Sequence, residues 1–105
     1  MHIQDAQINT SSLPPELFAL CEQLAKAGGH AWLVGGCVRD MLIGIVPKDF
    51  DLEVYGLEEH QLDKSLKHLG RTEVVGKQFG ITKLWMGEHE FDVALPRTEM
   101  KTSQG

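Results

Sequence analysis

The sequence predicts an α+β domain, a mixed sheet of about four or five strands with helices packed on one side. Three observations carry that prediction. Apolar residues recur at helical spacing in two separate stretches, before Gly28-Gly29 and again before Gly70. Residues 49 to 54 alternate strictly, with Asp49, Asp51 and Glu53 on one face and Phe50, Leu52 and Val54 on the other, as in a strand with one wet side and one core side. Strand-like pieces then follow one another, punctuated by single glycines at Gly76, Gly80 and Gly87.

Taken in order, residues 1–11 are polar and without period and are expected to form a loose arm. Ser12 suits an N-cap, Pro14 and Pro15 suit a first turn, and Leu17, Cys21, Leu24 and Ala25 then mark an apolar stripe. A buried strand is expected at 31–34 and a short helix over 36–43 carrying Val38, Met41 and Leu42, stopped by Gly44. Pro47 closes the loop into the 49–54 strand. Glu58 to Leu69 forms a second amphipathic helix with Leu62, Leu66 and Leu69 as its seam. Strands are expected at 72–75, 81–86 and 90–95, with Glu88-His89-Glu90 as a polar hairpin turn, and a ragged tail at 100–105. Trp32 and Trp85 fall in apolar strand-like runs and read as core residues. The five histidines show no zinc spacing and read as surface residues.

Length and charge bound what such a domain can do. A chain of 105 residues is expected to form one domain with a modest core, here over residues 12–99. Its net charge of −5 argues against a surface that grips nucleic acid unaided, because that needs clustered Lys and Arg to displace counterions. Cys21 and Cys37 have neither pairing nor metal spacing, so reduced, packed thiols in a cytoplasmic protein are expected. No apolar run approaches the length of a membrane span, and no membrane partner is expected.

The chemistry concentrates between Leu33 and Asp51. An apolar strand runs into Gly35-Gly36 and straight on into a helix, an arrangement that aims backbone N–H groups at an anion and lets the chain approach it without a β-carbon in the way. Asp49 and Asp51 stand two apart on one strand face, about 7 Å along its length. Carboxylates so placed suit Mg²⁺, which prefers oxygen ligands shared with substrate phosphates. Arg39 lies one turn into the following helix, where it can face a triphosphate, and Asp40 beside it can orient Arg39 or cap backbone. Lys77, in a glycine-flanked turn, and Arg97, after the last strand, are further phosphate-binding candidates, while Lys48 adjoins the carboxylates and balances their charge.

The combination Leu33-Val34-Gly35-Gly36, Val38-Arg39-Asp40, Gly44 and Lys48-Asp49-Phe50-Asp51 resembles the head domain of the tRNA nucleotidyltransferase and bacterial poly(A) polymerase family, within the polymerase-beta-like nucleotidyltransferases. Val75-Gly76-Lys77-Gln78-Phe79-Gly80 and Phe91-Asp92-Val93-Ala94-Leu95-Pro96-Arg97-Thr98-Glu99 extend the resemblance, which spans roughly residues 13–99. It implies a nucleotidyltransferase palm that binds Mg²⁺ and ATP or CTP and, in a longer protein, transfers AMP or CMP to the 3′-hydroxyl of an RNA. Asp49 and Asp51 would then hold the metals and Asp92 would help to activate the hydroxyl. Glu53 is the rival for that third role, on the same face but one residue pair further along. Gly35, Gly36 and Arg39 would receive the triphosphate. Family members continue into a nucleotide-selecting neck and helical domains that hold the RNA, so contact with an RNA 3′-end is expected through domains outside this chain. A different class remains open beside this one, a non-catalytic module that keeps the pocket and binds a nucleotide or a protein partner.

Overall fold

The structure, a computed structural model, describes residues 13–76 and 80–96. The expected arm at 1–11, the Ser12 cap, Lys77, Arg97 and the tail at 100–105 lie outside the described residues. The elements follow in the order α1 (Pro15–Lys26), β1 (His30–Val34), α2 (Gly36–Leu42), β2 (Asp49–Tyr55), α3 (Glu59–Lys67), β3 (Arg71–Gly76), β4 (Ile81–Met86) and β5 (His89–Ala94).

The five strands form one mixed sheet in the order β1-β2-β5-β4-β3. Only β2 and β5 run parallel; the other three pairings are antiparallel. The alternation expected of β2 is kept, with Phe50, Leu52 and Val54 buried and the acidic positions on the opposite face. Phe91 and Val93 of β5, Leu84 of β4 and Leu33 of β1 complete the buried face. The helices cover that side. Leu17, Leu20 and Leu24 of α1, Val38 and Met41 of α2, and Leu62 and Leu66 of α3 all join the same core, in which the Phe50 and Phe91 rings stack at 5.5 Å. In α1 the inward stripe is Leu17, Leu20 and Leu24, whereas Ala25 faces solvent.

Burial of these side chains decides the stability of the fold. Each fully buried Leu, Val or Phe contributes about 1.5–3 kcal/mol, whereas an exposed helical ion pair such as Lys67–Asp63, at 3.0 Å, contributes about 0.3–0.5 kcal/mol. Local signals set the helix ends. Pro15 opens α1, and α3 starts in a capping box in which Gln61 accepts from the Glu58 backbone N–H at 2.8 Å. A β-carbon at Gly70 would collide with the Trp85 carbonyl oxygen, which explains the glycine that ends this segment.

Three expectations about individual residues are revised. Trp32 and Trp85 both lie on the face of the sheet away from the helices, because odd positions in β4 and even positions in β1 point there; Trp32 is 37 % exposed. The β4–β5 hairpin turns at Gly87-Glu88, with Gly87 at positive φ, so His89 and Glu90 belong to β5. His89 is half-buried against Phe50 and Phe91, with ring centroids at 6.0 and 6.4 Å, instead of lying free on the surface.

Candidate active site

The face of the sheet without helices carries the charged residues. From β2 it receives Asp49, Asp51 and Glu53, from β5 Glu90 and Asp92, and from β4 Lys83 and Trp85. Parallel pairing sets Asp51 beside Asp92 and Asp49 beside Glu90, whereas Glu53 pairs with Ala94. Glu53 also accepts a hydrogen bond from the Tyr55 hydroxyl at 2.8 Å. Of the two candidates for a third carboxylate, Asp92 is therefore the one adjacent to Asp51.

The Gly35-Gly36 turn meets this carboxylate group from β1. Antiparallel pairing puts Val34 opposite Asp51, so the residue after Val34 passes close to the Asp51 side chain. Gly35 has φ +75°, ψ −152°, a region open essentially only to glycine, and a β-carbon there would lie 3.0 Å from Asp51 Oδ2. Cys37, one residue into α2, ties the turn down. Its thiol donates to the Val34 carbonyl at 3.0 Å, and its sulfur accepts the Asp51 backbone N–H at 3.4 Å. Burial raises the thiol pKa, so Cys37 is a protonated brace, which refines the expectation of a merely packed side chain. Arg39 folds back so that its guanidinium lies 3.4 Å from where a β-carbon of Gly36 would stand. It remains largely exposed, with Asp40 at 3.7 Å.

Crowding of negative charge has an electrostatic signature. Burial, then the charges of Asp92 and Asp49, raise the Asp51 carboxyl above its usual range, while Lys83 pulls it back down. Lys83 bonds Glu90 at 2.5 Å and Asp92 at 3.0 Å, and Trp85 Nε1 donates to the other Glu90 oxygen at 3.2 Å. Those bonds raise the Lys83 pKa and lower that of Glu90. The Arg71 guanidinium lies 4.3 Å from the Trp85 ring centroid and extends the chain of contacts to β3. Lys83 went unremarked in the sequence, where Trp85 read as a core residue and Glu90 as part of a turn. The Gly87 turn held the signal, because a two-residue hairpin there pairs Lys83 with Asp92.

Among the described residues, no three His, Cys, Asp or Glu groups stand close enough to enclose a metal on their own. The donor set nevertheless suits Mg²⁺, which characteristically uses one or two carboxylates and completes its shell with water and substrate phosphate oxygens. Asp49 and Asp51 are oxygen donors on one face, and Asp51 bears like charge that a cation would relieve. The described residues include no helix long and apolar enough to cross a membrane.

Residues 31–105 match the family described as the poly(A) polymerase head domain. Poly(A) polymerase I of Escherichia coli is 40% identical over 72 residues, which are 69% of this chain and 15% of that protein. A CCA-adding enzyme solved in complex with ATP superposes with a TM-score of 0.67 at 26% identity, covering 87% of this chain and 23% of the other. The Thermotoga maritima CCA-adding enzyme complexed with tRNA superposes at 0.64, again at 26% identity, over 79% of this chain and 22% of its own. The chain thus spans less than a quarter of the length of each of these three proteins.

Proposed function

The chain belongs to the poly(A) polymerase head-domain family of RNA nucleotidyltransferases, and from that premise we propose that it holds Mg²⁺ and the triphosphate of ATP or CTP for transfer of AMP or CMP to an RNA 3′-hydroxyl. One observation carries this reading: Asp51 sits at the meeting point of the Gly35 turn, the Asp49 strand and Asp92. A phosphate approaching the glycine turn would therefore arrive next to the carboxylates.

Asp49 and Asp51 would hold the metal, whose chemistry is charge neutralisation on phosphate oxygens and Lewis-acid polarisation at the reacting phosphorus. The protein's own groups bind and orient. Gly35 and Gly36 leave space for backbone approach, and the Arg39 guanidinium, folded toward Gly36, adds positive charge on the leaving-group side. Asp92 lies beside Asp51, where a carboxylate can orient the attacking hydroxyl. Lys77 and Arg97 remain candidates for further phosphate contacts. RNA would be held by parts of a longer protein, in keeping with a net charge of −5.

Calorimetry of this chain with ATP and with CTP, in Mg²⁺ and in chelator, tests the reading. Binding should be weak and should require the metal. Equal affinity in both conditions would overturn the metal–phosphate site.

A further inference from the structure

Lys83 occupies the centre of β4, and its two cross-strand neighbours are Asp92 on β5 and Glu73 on β3. Its side chain is 29 % exposed, less than an ordinary surface lysine requires, and its ammonium turns toward β5, not to solvent. There it bridges Glu90 and Asp92. Glu90 is fixed at both oxygens, one by Lys83 and one by the Trp85 indole, and Arg71 stacks over that indole. A side chain held at one carboxylate by an anchored partner has little freedom left, so the bond from Lys83 to Asp92 Oδ1 is directed by its neighbours.

Asp92 is in turn the parallel partner of Asp51. Two carboxylates side by side on a half-buried sheet face repel each other, and a lone Asp92 would turn outward to water. We propose that Lys83 is a positioning residue of the candidate site: its ammonium holds Asp92 beside Asp51 and sets how strongly the carboxylate pair draws a divalent cation. This rests on the reading of Asp49, Asp51 and Asp92 as the nucleotidyl-transfer carboxylates. Two consequences run in opposite directions. Without the ammonium the face becomes more negative and attracts a cation more strongly, while Asp92 loses its fixed orientation.

Thermal unfolding of the 105-residue chain, followed across a titration from chelator into MgCl₂ at constant ionic strength, separates these possibilities. The wild-type chain should gain stability with Mg²⁺. Lys83→Met should melt lower in chelator and reach its half-maximal Mg²⁺ response at a concentration about fivefold lower, as expected for removing one nearby positive charge. Lys83→Arg should restore the wild-type midpoint. Lys83→Gln serves the same comparison if the Met variant does not fold. A Lys83→Met or Lys83→Gln chain with the wild-type midpoint, losing equal stability in chelator and in Mg²⁺, would make Lys83 a structural brace and overturn the proposal while leaving the metal site standing. Absence of any Mg²⁺ response in the wild-type chain and in Asp51→Asn alike would overturn the metal site itself, and the role of Lys83 with it.

Discussion

Gly35 turns directly against the Asp51 carboxylate, so close that a β-carbon on the glycine would stand 3.0 Å from Oδ2. Gly35→Ala meets two obstacles at once, a backbone conformation that costs a side-chain-bearing residue about 1–3 kcal/mol and a clash with the candidate metal ligand. The variant should lose stability in that range by denaturant titration. Its Mg²⁺-dependent nucleotide binding should weaken by more than the stability loss explains. Wild-type nucleotide affinity in a folded Gly35→Ala chain would show that the close approach has no part in binding.

Asp51 should be a stability cost in the metal-free chain. Its carboxyl pKa is raised above 3.8 by burial and then by Asp92 and Asp49. The folded chain therefore binds that proton more tightly than the unfolded one. The cost is present above the raised pKa and disappears as pH falls through it. Glu90 behaves oppositely, because its bond to Lys83 lowers its pKa from 4.5; its contribution is complete above that value and is lost as pH falls through the lower folded value. In chelator, protonation of Asp51 should raise the melting temperature as pH falls through its raised pKa toward 3.8, and protonation of Glu90 should lower it as pH falls below 4.5. Asp51→Asn should remove the rise, and Glu90→Gln should soften the fall. Asp49→Ala and Asp51→Ala should each abolish metal-assisted nucleotide binding while the chain stays folded. A drop of many degrees in either would mark these aspartates as structural.

Arg71 stacks on Trp85 at the edge of the same network. Arg71→Ala should cost about 0.5–1 kcal/mol, the range of an exposed cation–π contact, and should shift the tryptophan fluorescence. Unchanged emission and unchanged stability would mean that the contact is not populated in solution.

RNA binding by this chain alone should be poor. Ten Lys and Arg stand against fifteen Asp and Glu, so tRNA affinity should fall no tighter than the non-specific range of about 10⁻⁴ to 10⁻⁶ M. Positioning a 3′-hydroxyl for attack can supply on the order of 7–11 kcal/mol of the barrier, and an acidic head domain has little with which to do it. Labelled ATP and CTP given with tRNA lacking its terminal nucleotides should show negligible extension. Robust, Asp51-dependent extension would mean that these 105 residues suffice for the reaction.

Much of the molecule was legible in the sequence, for a local reason. Period-two alternation over 49–54 sorted Asp49, Asp51 and Glu53 from Phe50, Leu52 and Val54 without reference to any other strand, since alternate side chains of an extended chain must face opposite ways. Helical spacing and the glycine stops bounded α1, α2 and α3 within a few residues by the same kind of rule. The glycine pair beside the Asp-x-Asp strand pointed to the family, which the comparisons then bore out. What a local pattern leaves open is which strand lies next to which. That Asp51 stands beside Asp92, and Glu53 beside Ala94, follows from β5 returning parallel to β2. The outward positions of Trp32 and Trp85 have the same origin, because an apolar residue in a strand goes to whichever face its register dictates, and here the register gives the covered face to Leu33 and Leu84. The Lys83 bridge to Glu90 and Asp92 likewise exists only once β4 and β5 are paired, and ion pairs between strands are set by tertiary register, which no single segment encodes.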